Sequence, residues 1–254
     1  MAIAKLRTPY HHTPITSKPK MRKTTPLHSC FVSNIHLHKT VSKSVLLVGA
    51  SGAGIWDALT GNNNAREAVL AIRRGMLLFR QGDVLGSLLE FDKAIELDPR
   101  QKAYLWQRGL SLYYVDRFEE GAEQFRIDVA QNPNDTEESI WCFLCESQLY
   151  GVDEARKRFL EVGKDPRPVM RDSYNMFKDG GDPQKLVARY SDQKGNEYFY
   201  ASLYAGLFYE SQSEKDSAKH HIIAACQSPY GSRSDDYMAS LAKVHCMCRN
   251  WSYS

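Results

Sequence analysis

The residue types in this sequence that could do chemistry begin with Cys142-Phe-Leu-Cys145, a C-x-x-C pair. At a helix N-terminus such a pair gives a thiol of low pKa for disulfide exchange, and with a second pair it would hold zinc. Here both cysteines fall several residues into an expected helix, flanked by Trp141, Phe143 and Leu144, where no terminal dipole acts on them. His245, Cys246 and Cys248 offer further ligands, but C-x-C is not the usual zinc spacing. With Cys30 set aside five thiols remain, and an odd count does not suit a full disulfide framework. Buried cysteine acting as a small hydrophobe accounts for the pair more simply. A thiol- or zinc-dependent protein using Cys142 and Cys145 stands as the alternative.

A glycine cluster, Gly49, Gly52 and Gly54, follows the apolar run that starts at Val45. Its G-x-x-G-x-G order is not the G-x-G-x-x-G of a dinucleotide loop, no Lys-Ser or Lys-Thr follows, and no strands alternate with helices downstream. His220 and His221 are adjacent and so point to different faces of a helix, while Asp235-Asp236 after Ser232 and Ser234 reads as helix N-cap chemistry. No acid–base pair or nucleophile–base constellation stands out. The sequence implies no cofactor and no catalysis.

The elements that would position a site begin well into the chain. Residues 1–56 contain no Asp or Glu, and residues 1–43 carry eight Lys or Arg, five His and ten Ser or Thr, with Pro9, Pro14, Pro19 and Pro26 among them. Such a segment cannot bury a core, and its basic, hydroxyl-rich, acid-free character is that of an organelle transit peptide of chloroplast type. Val45–Trp56, behind Lys39 and Lys43, is too short for the ~20 residues of a bilayer span but fits a signal h-region, which points to the thylakoid lumen or a thylakoid-associated site ahead of the stroma. The expected targeting segment is therefore 1–65. Beyond residue 43 the chain holds 25 basic and 30 acidic residues, so the net charge of +3 belongs to the tail. An acidic body gives no electrostatic footprint for nucleic acid.

The body, 66–254, repeats. Gly75 and Gly109, Phe91 and Phe125, and Pro99 and Pro133 are each 34 residues apart. Ser87 and Gly121 supply small residues early in the second helix of each pair, and the prolines end it, because proline lacks the amide donor and clashes with the preceding turn. On these residues the chain resembles the tetratricopeptide repeat (TPR) family, of the plant chloroplast type. The frame continues with Ala155 and Phe159 in "DEARKRFLEV", expected as the second helix of a third pair whose first helix, "TEESIWCFLCESQLY", carries Phe143 at the glycine position. A short pair flanks Gly180 and Gly181, and Gly206, Ala218 and Ala225 restore the spacing. The expectation is an all-α, TPR-like solenoid of helical hairpins at about 68–101, 102–135, 136–166, 167–195 (degenerate) and 196–230, with 232–250 as a capping helix over its open end. "LYYVDRFEEGAEQF" leading to "NPNDTEESIWCFLCESQL" also resembles the bacterial TPR lipoprotein adaptors of the NlpI type, although their lipobox cysteine is missing here.

The resemblance implies a non-catalytic protein–protein interaction scaffold that assists assembly or processing of a partner. In TPR domains the first helix of each pair lines a groove where a peptide or helix docks. In this frame Ile72, Met76, Phe79, Trp106, Leu110, Tyr113, Leu203 and Leu207 would line it; the alternative is that they are internal core or that the C-terminal helix fills the groove. An apolar, aromatic groove suits a protein or peptide partner with an apolar segment, and the Lys/Asn carboxylate clamp of chaperone-binding TPRs is absent. The targeting reading adds association with the thylakoid membrane.

Overall fold

The computed structural model describes residues 53–192 and 195–253, the side chains of 53–62 excepted. The basic segment 1–43 and the run Val45–Trp56, with the glycine cluster, lie outside the residues whose side chains are described. All regular structure among the described residues is helical. In chain order the helices are α1 Ala53–Arg80, α2 Val84–Leu97, α3 Trp106–Tyr114, α4 Phe118–Gln131, α5 Thr136–Tyr150 and α6 Val152–Lys157. There follow α7 Pro168–Asp179, α8 Pro183–Tyr190, α9 Glu197–Ser211, α10 Lys215–Gln227, α11 Pro229–Arg233 and α12 Tyr237–Arg249. A 3-10 turn, Pro99–Tyr104, joins α2 to α3.

Local chemistry sets many of the boundaries. Asp83, Asp135, Asp182 and Asp236 accept hydrogen bonds from backbone amides in the first turns of α2, α5, α8 and α12, satisfying donors that the helix leaves free. Proline opens α7, α8 and α11, where its missing amide costs nothing. Gly180, at φ 80°, ends α7 in the left-handed conformation.

One contact recurs in three of the pairs. A Cβ placed on Gly75 would lie 2.7 Å from the Phe91 ring, one on Gly109 2.6 Å from the Phe125 ring, and one on Gly206 2.6 Å from Ile222. Each partner lies sixteen residues beyond its glycine. Arg74 and Glu90 pair at the same separation, at 2.9 Å, as do Arg108 and Asp92 across α3 and α2 at 2.7 Å. Consecutive helices thus run antiparallel, with a bare glycine on one receiving a large side chain from the next.

The third pair departs from this. Phe143 fills the position a glycine holds elsewhere, and α6 stops at Lys157 instead of running on through "DEARKRFLEV". With no slot in α5 to enter, Phe159 lies beyond the end of α6 and packs at 5.7 Å from Phe143, which also meets Phe177 edge-on at 5.6 Å. The expected second helix is therefore a single turn and a half.

Two helices form the centre. In α5 every residue from Glu138 to Ser147 is buried, and in α9 every residue from Phe199 to Tyr209. A helix apolar all round has no solvent face and must be enclosed. Part of that enclosure is α12, which packs on α1, α10 and α11 and reaches α3 and α9 through side chains. The expectation of a cap over an open end is corrected: Met238, Leu241, Ala242, Val244 and Cys246 are all buried, so α12 needs cover on more than one face, and an end cap has cover on one only.

Candidate functional site

The sequence left two readings of the groove residues, an open groove or one filled by core and the C-terminal helix, and the burial favours the second. Phe79, Leu110, Tyr113, Leu203 and Leu207 are buried, while Ile72, Met76 and Trp106 are partly exposed. Tyr237 of α12 stacks on Phe79 at 5.3 Å and meets Trp106 edge-on at 5.2 Å and 82°. Tyr113 packs edge-on against Trp141 at 5.2 Å, and Leu203 and Leu207 lie inside α9's all-round core. Ile72 joins a small cluster with Ala68, Ala71 and Ala94 beneath the first hairpin. At Phe79 and Trp106 the chain's own C-terminal helix occupies the place expected for a partner, and the other buried positions are core.

A polar network holds α12 there. His245 is fully buried; its Nδ1 hydrogen-bonds with the Tyr114 hydroxyl at 3.0 Å, and its Nε2 faces Glu210 Oε2 at 3.1 Å in ion-pair contact without hydrogen-bond geometry. Arg249 Nε donates to Glu210 Oε1 at 2.5 Å. Burial raises the Glu210 pKa, but His245 and Arg249 outweigh it and hold the carboxyl at about 2. The Tyr–His–Glu order has the form of an acid–base relay, yet burial pushes the Tyr114 hydroxyl well above its ordinary value. Its position between α3, α9 and α12 makes it a fastening.

What α12 leaves open is a cleft of about 240 Å³ where its N-terminus meets that of α5. Trp106, Phe125, Trp141, Tyr200 and Tyr237 give it aromatic walls. Four carboxyl groups also line it: Asp135, Glu137, Glu138 and Asp236. Three of these are matched. Asp135 accepts from the amides of Glu137 and Glu138 at 3.0 and 3.3 Å. Asp236 accepts from the Met238 amide at 2.8 Å and the Tyr230 hydroxyl at 2.5 Å. Glu137 takes Arg167 at 2.7 Å and the Tyr204 hydroxyl at 3.0 Å. Glu138 is different: its Oε2 is buried with no hydrogen-bond partner among the described residues. Burial, with repulsion from Asp135, Asp128 and Glu137, pushes its pKa up to about 9.

Of the groove residues read from the sequence, only Trp106 lines this cleft. Glu138, Tyr200 and Tyr237 were not singled out. The available signal was Glu138 three residues before Trp141, hence on one face of α5, in a helix that carries Glu137 and Glu146 but no basic residue. Asp236 reads from the sequence as a capping residue, and capping accounts for both Asp236 and Asp135.

The cysteines sit elsewhere. Cys145 is fully buried, its sulfur against Gly121, where a Cβ would lie 2.9 Å away. Cys142 Sγ donates to the Ala122 carbonyl at 3.7 Å. Burial pushes the Cys142 thiol up to about 12 and that of Cys145 well above its ordinary value, which opposes thiolate chemistry at neutral pH. Cys246 lies 3.9 Å from Cys226, and His245 is committed to Tyr114 and Glu210, so neither is brought to Cys142. His221 stacks on Tyr209 at 5.5 Å. Among the described residues no group of three or more His, Cys, Asp or Glu is placed to hold a metal ion, and no helix is long and apolar enough to cross a membrane. No protein-family model matches the chain.

Proposed function

We propose that this chain is a non-catalytic adaptor of the TPR type, which holds a segment of a partner protein at the cleft beside Trp106. The observation that carries the reading is the cleft itself: partly open, walled by aromatic side chains of the kind that dominate binding surfaces, and without a nucleophile–base pair. The glycine contact repeated in three hairpins, and the 34-residue spacing behind the first two, support the repeat assignment. Because α12 fills the rest of that face, the partner reaches the cleft mouth and not a full-length groove. The acid-free N-terminal segment supports a chloroplast address, with the thylakoid lumen or membrane surface as the working place. By resemblance to the NlpI-type adaptors, a C-terminal processing protease is the first partner to test.

The test is retention of proteins from thylakoid lumen extract on immobilised wild-type and Trp106→Ala chains. Truncating an aromatic hot spot costs about 2 kcal/mol of binding, roughly a thirtyfold loss. A protein held by wild type and lost from Trp106→Ala supports the adaptor reading. Equal retention by both, or none by either, refutes it.

A further inference from the structure

Glu138 is only 7% exposed, and nothing among the described residues donates to its buried Oε2. A buried carboxyl without a partner is costly, and a neighbourhood of three other carboxyl groups makes its ionised form costlier. Arg167 is spent on Glu137 and Asp165. Arg80 lies 5.3 Å from the Tyr237 ring but does not line the cleft. The positive charge that would satisfy Glu138 is not supplied by the residues lining the cleft.

Two more unsatisfied groups belong to residues that line the same space. Trp141 Nε1 and the Tyr237 hydroxyl are buried without hydrogen-bond partners, in residues 2% and 6% exposed. Trp106 and Tyr237 meet edge to face at 82° with ring centres 5.2 Å apart, Tyr237 also stacks on Phe79, and Trp106 and Tyr237 together give the cleft an aromatic wall. Cations are attracted to aromatic faces, and aromatic cages recognise alkylated ammonium groups on this basis. The cavity is smaller than the roughly 300–1,000 Å³ of pockets for drug-sized ligands. It suits one slim side chain.

We propose that this cleft binds an alkylammonium group, presented as a lysine side chain on the docked segment of a partner protein. The ammonium donates to Glu138, and the methylenes lie against Trp106 and Tyr237. A quaternary ammonium would satisfy the rings and leave Glu138 without a donor. Trp141 Nε1 separates a peptide from a free amine: it is a donor and needs an acceptor, which a peptide carbonyl beside the lysine supplies and a simple amine lacks. The lysine source rests on the adaptor reading; the ammonium chemistry rests on the cleft alone.

The experiment titrates the full chain, at constant ionic strength, with four probes, following tryptophan fluorescence and calorimetric heat. The probes are acetyl-Gly-Lys-Gly-amide, the same peptide with norleucine for lysine, n-butylammonium and tetramethylammonium. The lysine peptide is expected to bind at least tenfold more tightly than the norleucine peptide and more tightly than butylammonium, with tetramethylammonium weakest. Glu138→Gln is expected to lose tenfold or more, while Glu119→Gln, on the exposed face of α4, binds as wild type. Thermal melts establish that both variants are folded. Equal binding by Glu138→Gln and wild type, or of the lysine and norleucine peptides, overturns the proposal and leaves a water-filled cavity only. Butylammonium binding with the peptide excluded overturns the lysine source. A lumenal partner retained equally by wild type and Glu138→Gln would sink this site and leave the adaptor reading standing. Lysine-peptide binding with no partner sensitive to Trp106→Ala would do the reverse.

Discussion

Removing the charge of Glu138 should stabilise the protein, against the usual direction for a buried polar residue. In the fold its pKa is about 9, and the ordinary value for an exposed glutamate is 4.5. Between those values the folded chain holds a proton that the unfolded chain has released, so stability falls as pH rises. The penalty is absent below pH 4.5, grows through neutrality, and stops growing above pH 9. At pH 7 it amounts to about 3 kcal/mol, from 1.36 kcal/mol per pKa unit. Gln is neutral in both states and has nearly the shape of the protonated acid. In a helical body of this size 1 kcal/mol moves Tm by about 2–4 °C, so Glu138→Gln should melt about 6–12 °C above wild type at pH 7. At pH 4 the two should coincide. Asp128, raised to about 7 mainly by burial, adds a slope of the same sign to both proteins; its repulsion of Glu138 is lost in Glu138→Gln and counts within the difference. Calorimetry of both proteins from pH 4 to 8 is the assay. An unchanged Tm at pH 7, or a difference that does not grow with pH, would refute the claim that an unmatched carboxyl is retained at the cleft.

Other outcomes follow from the packing. With the Phe125 ring 2.6 Å from the position of a Cβ, Gly109→Leu should over-pack the second hairpin and cost about 1–3 kcal/mol, read as a lower denaturation midpoint in urea; an unchanged midpoint would contradict the repeated contact. Glu210 has the opposite sign to Glu138. Its folded pKa of about 2 lies below the ordinary 4.5, so the stability it contributes is present above pH 4.5 and lost as pH falls towards 2. Glu210→Gln should therefore cost about 3 kcal/mol at pH 7, through unmatched Arg249 and His245, and should flatten the acid limb of the melting profile. Residues 1–65 fused to a fluorescent reporter should carry it into chloroplasts, and a cytosolic reporter would defeat the targeting reading.

Much of the helical layout could be read in the sequence because glycine, aromatic and proline recur at one spacing, and each has a local physical role. Gly109 against Phe125 is such a case: only a bare backbone admits the ring. The early end of α6 was less legible, since "DEARKRFLEV" is helical by propensity and only the tertiary demand of Phe143 draws Phe159 out of it. The sequence leaves the place of α12 open for a related reason. Its pattern shows that it is apolar, but not that Tyr237 finds Phe79 and Trp106, residues far away in the chain. Trp106 could be picked out from the sequence as a candidate by its place in the 34-residue spacing, and it lines the cleft. Glu138 could not, because a glutamate in the first turn of a helix has an ordinary explanation, and only the enclosed structure shows that it lacks a partner.

The central claim, that a partner segment enters the cleft beside Trp106, is tested most directly by replacing Trp106 with a photo-crosslinking phenylalanine analogue in the full chain. The protein is irradiated in chloroplast lysate, and the linked peptides are sequenced by mass spectrometry. The account predicts crosslinks to one segment of a foreign protein, with a lysine within a few residues of the linkage, suppressed by an excess of acetyl-Gly-Lys-Gly-amide. Crosslinks confined to this chain's own α12, or spread over many proteins and indifferent to the lysine peptide, would contradict it.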